Sequence, residues 1–262
     1  MIPGMKTTWI HSLACKMAAV SLAGCGMLLT GAVAMAAALF EDTMAQRTLA
    51  CTSCHGPQGR AAPDGYYPRL AGKPAGYLYN QLLNFREGRR HYGLMTQLIA
   101  PLSDAYLLEM AQYFAGLEVP YPAPPASPAP AAVLRLGEQL VMRGDVNRQV
   151  PACVQCHGQA MTGVAPAVPG LLGLPRDYLN AQLGAWKAGQ RRAHAPDCMK
   201  DVVARLSLED INAVASWVAA QPLPADTHPA PYPSAAQPGM DTLRCGSAAL
   251  PAPSLLETKA QK

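Results

Sequence analysis

The sequence is poor in charged side chains. Asp, Glu, Lys and Arg together make up 15% of its 262 residues, and the formal net charge is only +4. A protein that holds a nucleic acid needs a concentrated basic surface to meet the phosphate backbone. This composition offers no such surface, so we expect no nucleic-acid partner.

Charge is absent altogether from residues 17–40, after a weakly basic start that contains Lys6 and Lys16. An apolar run with a small-x-small pattern ending at Ala36 is typical of a cleaved signal peptide. The run is also long enough to span a bilayer, which takes about 20 apolar residues. A third interpretation is a lipoprotein signal ending at Cys25. All three predict a periplasmic protein, either soluble or anchored to the inner membrane.

Sustained alternation of apolar and polar residues, the pattern of a β-strand, is also missing. Apolar residues recur instead at helical spacing over residues 75–87 and after Ser103 and Ser207, two residues suited to cap a helix N-terminus. A further short helix is expected over residues 41–50. The sequence therefore predicts an all-α fold. The residues expected to face inward are Leu78, Leu82, Phe85, Leu107, Met110, Ala111, Phe114, Ile211, Val214, Ala215 and Val218.

An internal repeat organises the chain. The heptapeptide ACTSCHG ending at Gly56 recurs as ACVQCHG ending at Gly158, and shorter matches follow in the same order and at nearly constant spacing. Two homologous domains are therefore expected. The predicted boundaries are a signal or anchor segment at 1–36, a first domain at 37–119, a Pro-rich linker at 120–131, a second domain at 132–221 and a Pro-rich tail at 222–262.

Each repeat contains a complete Cys-x-x-Cys-His sequence, which is the attachment motif for c-type haem. The two thiols bond to one edge of the porphyrin, and the adjacent histidine offers a nitrogen to iron. A zinc site would need further Cys or His ligands in each repeat, and a thioredoxin-like redox pair would not need the histidine twice. The motifs therefore predict two covalent haems, held by Cys51, Cys54 and His55 and by Cys153, Cys156 and His157.

A methionine stands at an equivalent place in each repeat, before the capped helix, on what we expect to be a loop. These are Met95 and Met199, and a thioether from each would complete the iron coordination. Methionine ligation raises the haem potential and favours electron transfer over substrate binding. His91 and His194 stand at nearly equivalent positions and are the alternative ligands.

A proximal histidine needs an acceptor for its other ring nitrogen. The carbonyl groups of Pro68 and Pro169 lie 13 and 12 residues after the two histidines and are the candidates. Polar residues repeated between the motifs could contact haem propionates, although ordinary surface or core roles are equally compatible with their pattern. These residues are Tyr77, Gln81 and Arg90 in the first repeat and Tyr178, Gln182 and Arg191 in the second.

The chain resembles the two-haem cytochrome c4 family, through CTSCHG, CVQCHG, PRLAGKPAGYLYNQLLNFREGRR, MTQLIAPLSD and MKDVVARLS. The resemblance implies two all-α cytochrome c domains with His55/Met95 and His157/Met199 as axial pairs. It also implies a periplasmic electron carrier, or the haem subunit of a dehydrogenase or oxidase complex, rather than an enzyme. The redox partners would be a terminal oxidase, a cytochrome bc1-type complex or a dehydrogenase. The alternative is a two-haem enzyme similar to thiosulfate dehydrogenase, for which Cys198 would be the unusual iron ligand.

Two of the eight cysteines remain once the haem motifs and the N-terminal segment are set aside. Spare thiols in an oxidising compartment commonly pair. We therefore predict a disulfide between Cys198 and Cys245, which would tie the Pro-rich tail to the segment that carries Met199. The alternatives are a buried free Cys198 with an incidental Cys245, or Cys198 as an iron ligand.

Overall fold

The computed structural model describes residues 42–62, 65–231 and 245–249. The chain divides into two compact units, residues 1–46 and residues 47–262, and the first is described only at residues 42–46. The signal or anchor prediction for residues 1–36 lies outside the described residues. In the described ranges, no helix has both the length and the apolar composition that a membrane crossing requires.

The described part of the chain is dominated by helices. In chain order these are α1 (Met44–Arg47), α2 (Leu49–His55), a 3-10 turn (Pro57–Gly59), α3 (Ala75–Arg86), α4 (Gly93–Ile99), α5 (Asp104–Ala115), α6 (Ala131–Met142), α7 (Cys153–His157), α8 (Arg176–Lys187), α9 (Cys198–Ala204) and α10 (Leu208–Ala219). The order α2, α3, α4, α5 recurs as α7, α8, α9, α10. The two-domain helical architecture expected from the repeat is confirmed.

The first domain is built around the packing of α3 against α5. Ser103 begins α5 because its side-chain oxygen accepts the backbone N–H of Tyr106 at 3.2 Å. The apolar face of α5 is then fully buried, as predicted for Leu107, Met110, Ala111 and Phe114. On α3, Leu78 and Phe85 are buried as expected, but Leu83 takes the inward position and Leu82 is half-buried.

The second domain depends on a close crossing of α6 and α10. A Cβ atom at Gly137 of α6 would lie 2.2 Å from the carbonyl oxygen of Ala213 in α10, so only glycine lets the two backbones approach this far. Ser207 begins α10 with a reciprocal pair of hydrogen bonds, in which Asp210 accepts from the Ser207 N–H and donates its own N–H to the Ser207 hydroxyl. The buried face contains Ile211, Val214, Ala215 and Val218, as predicted.

Three local features differ from the sequence expectations. Residues Gly163–Val164 and Val168–Pro169 form a small antiparallel hairpin, which is too short to leave an alternating pattern. Met95 and Met199 lie in the short helices α4 and α9 rather than on a loop. The helix expected over residues 41–50 is instead the short α1, followed by α2, which carries the first cysteine pair itself.

Candidate haem-binding sites

The two attachment motifs lie on matched helical turns. Cys51 and Cys54 are three residues apart on α2, and Cys153 and Cys156 are three apart on α7, so each pair of thiols shares one face of its helix. All four thiols are half-buried and unpaired. Gly56 and Gly158 follow the histidines with φ of 74° and 84°, a left-handed conformation that glycine adopts without strain.

Each motif histidine is oriented by a proline carbonyl. His55 Nδ1 lies 2.8 Å from the Pro68 carbonyl oxygen, and His157 Nδ1 lies 2.8 Å from that of Pro169. Both imidazoles are buried, and burial is the main cause that lowers the pKa of each. A neutral ring that donates through Nδ1–H leaves the Nε2 lone pair available, which is the form that binds iron.

The two methionines lie half-buried on α4 and α9. Met199 packs against a buried apolar cluster that includes Val203 and Leu206. Of the alternative ligands, His91 is exposed, and the Nε2 atom of His194 lies 3.0 Å from the guanidinium of Arg89. The assignment of Met95 and Met199 as iron ligands stays a prediction.

The expected disulfide joins Cys198, the first residue of α9, to Cys245 in the tail. Residues 245–249, which we call the tail strap, contact both domains. The Gly246 N–H donates to the Pro196 carbonyl at 2.8 Å in the second domain. Asn80 of α3 then donates to the Ser247 hydroxyl at 2.8 Å and accepts the Ala248 N–H at 2.9 Å. Because its sulfur is bonded to Cys245, Cys198 is not available as an iron ligand in this structure.

Equivalent residues of the two repeats meet between the domains. Arg90 and Arg191 form an antiparallel backbone bridge, and Gln81 and Gln182 each accept hydrogen bonds from both arginines. Arg90 donates to Gln81 at 3.2 Å and to Gln182 at 2.8 Å. Arg191 donates to Gln182 at 2.7 Å and to Gln81 at 2.9 Å. The interface is therefore close to two-fold symmetric, and we call these four residues the arginine–glutamine pair of pairs.

The same arginines are stacked on aromatic rings. The guanidinium carbon of Arg90 lies 4.4 Å from the Phe85 ring centroid, and that of Arg191 lies 3.8 Å from the centroid of Trp186. Arg90 also donates to the Tyr178 hydroxyl at 3.1 Å, and Tyr77 hydrogen-bonds Arg191. Burial lowers the pKa of Arg191. In the described residues neither arginine has a carboxylate partner, so the pair suits an anionic group such as a propionate.

Comparisons with known proteins agree with this arrangement. The cytochrome c family model matches residues 33–106. Cytochrome c4 of Pseudomonas aeruginosa is 32% identical over 170 residues, which cover 64% of this chain and 82% of the relative. The chain belongs to the cytochrome c4 family.

Other relatives of this cytochrome c4 family member carry a more specific name. A protein of Thiomonas intermedia (strain K12) called thiosulfate dehydrogenase electron acceptor is 40% identical, over 66% of this chain and 79% of the relative. The crystal structure of reduced cytochrome c4 from Pseudomonas stutzeri matches with a TM-score of 0.59 and 29% identity, over 67% of this chain and 95% of that one.

A thiosulfate dehydrogenase of Marichromatium purpuratum matches with the same TM-score of 0.59 and 33% identity, over 66% of this chain. The match covers only 36% of that protein, so the family member spans about a third of its length.

Like its relatives in this family, the cytochrome carries two covalently bound c-type haems. The donor sets fit them: each site offers two unpaired thiols on one helical face and a buried imidazole with its Nε2 atom free. The described residues contain no group of three or more His, Cys, Asp or Glu side chains arranged for a metal ion.

Among the contacts of this cytochrome that were not predicted from the sequence, two lie close to the second haem site or its tail. One is the docking of the tail strap on Asn80, for which the strap sequence gives no signal. The other is a buried lysine, Lys73, whose Nζ donates to the Gly170 carbonyl of the second domain at 2.9 Å. The sequence did contain a signal for the Lys73 contact. The repeat aligns Lys73 with the apolar Leu174, so the charged residue has no counterpart in the second domain.

Proposed function

We propose that this dihaem cytochrome accepts electrons from a periplasmic dehydrogenase and passes them on toward a terminal oxidase. The observation that carries the proposal is the matched orientation of the two motif histidines, each held through Nδ1 at 2.8 Å from a proline carbonyl. Rings held in this way would need little movement when the iron changes oxidation state. Small reorganisation is what an electron carrier needs.

In this proposal the axial pairs are His55 with Met95 and His157 with Met199. When bound, each haem supplies a one-electron Fe(III)/Fe(II) couple. The packing of α4 against α3 and of α9 against α8, together with the disulfide of Cys198, would keep the thioethers beside the iron. A filled coordination sphere leaves no iron position open to a substrate, which favours electron transfer over catalysis.

Arg90 and Arg191 are proposed to face the haem propionates between the domains, with Tyr77 and Tyr178 beside them. The arginine–glutamine pair of pairs supports this role because it places two cations at the interface without carboxylate partners among the described residues. Charge-assisted hydrogen bonds to propionates would hold the two haem edges toward each other.

The donor in this proposal is a thiosulfate dehydrogenase, because a relative that is 40% identical is named as the electron acceptor of such an enzyme. The alternative is that the chain oxidises thiosulfate itself. That function would need an unusual iron ligand, and Cys198, the candidate for it, is held in a disulfide.

One experiment separates the carrier from the enzyme. Purified protein, checked by denaturing mass measurement for two covalent haems, is mixed with thiosulfate under anaerobic conditions. We expect no haem reduction until a catalytic amount of thiosulfate dehydrogenase is added, and then reduction of both haems. Reduction by thiosulfate alone would establish the enzyme, and failure to reduce in the presence of the dehydrogenase would exclude that donor. An unrelated dehydrogenase with its own substrate is the control.

A further inference from the structure

A buried cation of the first domain lies against the haem site of the second. Lys73 is 4% exposed, and its Nζ donates to the Gly170 carbonyl oxygen at 2.9 Å. Gly170 directly follows Pro169, whose own carbonyl lies 2.8 Å from His157 Nδ1. The lysine therefore reaches across the domain boundary to the peptide next to the one that orients the proximal histidine.

No carboxylate offsets this charge among the described residues. The charged and titratable groups around Lys73 are Arg69, the Tyr121 ring at 5.8 Å and His157. Arg69 is directed elsewhere, because its guanidinium donates to backbone carbonyls of Ala71 and the linker and stacks on Tyr121. The positive charge of Lys73 is thus not neutralised by a carboxylate of the described residues, and it lies close to the second haem site.

The two sites differ in this respect. Lys73 is the charged group that lowers the pKa of His157, whereas the charged group that acts on His55 is Arg90 of the symmetric interface. The repeat places Leu174, an apolar residue 8% exposed in the core of the second domain, at the position equivalent to Lys73. A cation therefore acts on each site, and the one at the second site is a buried lysine contributed by the first domain.

We propose that the positive charge of Lys73 raises the reduction potential of the haem held by Cys153, Cys156 and His157. A fixed positive charge disfavours the more positive ferric state, so it favours the electron on the second haem. Removing this charge should therefore lower the potential of the second haem and leave that of the first nearly unchanged. This inference rests on the proposed function, since it assigns His157 as the proximal ligand.

The test is a redox titration of the holoprotein at pH 6, below the pKa of about 7 that burial imposes on Lys73, so that the ammonium is charged. A methionine-ligated ferric haem has a weak far-red absorption band. Loss of this band from one haem in the Met199→Ala variant identifies the signal of the second haem. In Lys73→Met we expect the interhaem equilibrium constant to move toward the first haem on the order of tenfold, as for a unit charge acting over roughly 10 Å at an effective dielectric constant of about 20.

Companion variants separate the charge from the hydrogen bond. Lys73→Gln keeps a donor without charge and should behave like Lys73→Met, whereas Lys73→Arg should keep the native potential. Lys187→Met is the matched control, because Lys187 also donates to a backbone carbonyl, that of Leu206 at 2.5 Å, but does not act on His157.

The proposal is overturned if the uncharged variants leave both potentials unchanged, shift both equally, or shift only the first haem. These outcomes differ from a failure of the proposed function, which would appear in the native protein as missing haem, a missing methionine band or no reduction through the dehydrogenase.

Discussion

At the scale of single residues, each attachment site uses one histidine whose two ring nitrogens have different tasks. Nδ1 is held by a proline carbonyl, and Nε2 is left for iron. The second iron ligand, proposed to be a methionine, would then set the potential. A thioether stabilises ferrous iron, and its loss leaves a five-coordinate or rebound centre of lower potential.

The proposed methionine ligands can be tested one at a time. We expect Met95→Ala to lower the potential of the first haem and abolish its far-red ferric band, while the second haem stays nearly unchanged. Met199→Ala should do the reverse. Spectroelectrochemical titration of each variant provides the measurement.

The controls are the alternative ligands. His91 is exposed and His194 is engaged with Arg89, so His91→Ala and His194→Ala should leave both ferric bands in place. If either histidine variant lost a band and the corresponding methionine variant kept it, the ligand assignment would be wrong.

Lys73 also makes stability depend on pH, with a definite sign. Burial lowers its pKa from 10.5 to about 7, so between these values the unfolded chain binds more protons than the folded one. Folding stability contributed by this group is therefore lowest below pH 7 and rises toward pH 10. We expect the stability of the native chain relative to Lys73→Met to increase by a few kcal/mol from about pH 6 to pH 10, at 1.36 kcal/mol per pKa unit.

Chemical denaturation at several pH values measures this difference, and Lys187→Met again serves as the control. A constant difference between native protein and Lys73→Met across this range would show that Lys73 titrates normally. Comparing the two proteins at each pH removes the contributions of the other titrating groups, which both share.

At the scale of secondary-structure elements, two helical glycines offer a matched pair. A Cβ at Gly137 of α6 would lie 2.2 Å from the Ala213 carbonyl oxygen, whereas a Cβ at Gly184 of α8 would meet nothing within 4 Å. Gly137→Ala must push α6 away from α10 and should destabilise the protein by about 2–4 kcal/mol, within the range of core overpacking and lost contacts. Gly184→Ala should stabilise it by about 0.5–1 kcal/mol through helix propensity.

Urea unfolding of the two alanine variants beside the native protein makes the comparison. Similar effects of both substitutions would mean that α6 and α10 do not cross as closely as the structure has them.

The tail strap connects the element that carries Met199 to the first domain. Its disulfide closes a loop of 47 residues, a cross-link worth about 4 kcal/mol on the chain-entropy model. Cys245→Ser should therefore let α9 move away from the haem more often. We expect imidazole to displace the ligand of the second haem about tenfold faster, as for a local opening made easier by about 1.4 kcal/mol, with no change at the first haem.

The matched control is Asn80→Ala, which releases the far end of the tail strap and keeps the disulfide. It should leave imidazole binding close to the native rate. Equal acceleration at both haems in Cys245→Ser would point to general loosening and not to a local role of the bond.

The helices were predictable because their signals are local. Ser103 and Ser207 cap α5 and α10 through side-chain bonds to residues three positions on. The apolar spacing that follows identified all the buried residues of α5, but on α10 it missed the buried Ala213, Ser216 and Ala219. The disulfide between Cys198 and Cys245 was predictable for a similar reason, since the haem motifs account for the other described cysteines.

Contacts between distant parts of the chain left no such signal. Asn80 and Ser247 are 167 residues apart, and nothing in either segment announces their hydrogen bond. The helices over Met95 and Met199 were also missed, because each is only seven residues long and is stabilised by tertiary packing more than by its own composition. The domain boundaries, the axial ligands and the propionate contacts stay predictions.

At the scale of the whole molecule, the repeat becomes an interface. Residues at equivalent positions pair across the domains, Arg90 with Arg191 on the backbone and each arginine with both glutamines through side chains. Gly76 of the first domain also donates to the Pro166 carbonyl of the second at 3.0 Å. The domains are therefore coupled by directional hydrogen bonds, which fix their relative orientation more strictly than apolar packing alone.

That coupling predicts strong non-additivity. Each glutamine oxygen accepts from both arginines, so Gln81→Ala or Gln182→Ala alone leaves guanidinium groups short of a partner at a buried site, at a cost of about 1–3 kcal/mol. The double variant should cost clearly less than the two single costs added together, by about 1 kcal/mol or more, because the shared network is already broken. Urea unfolding of the four proteins gives the coupling energy. Gln112→Ala, on α5 outside this interface, is the control and should add independently to either substitution. Strict additivity of Gln81→Ala and Gln182→Ala would mean that the two domains do not share this network in solution.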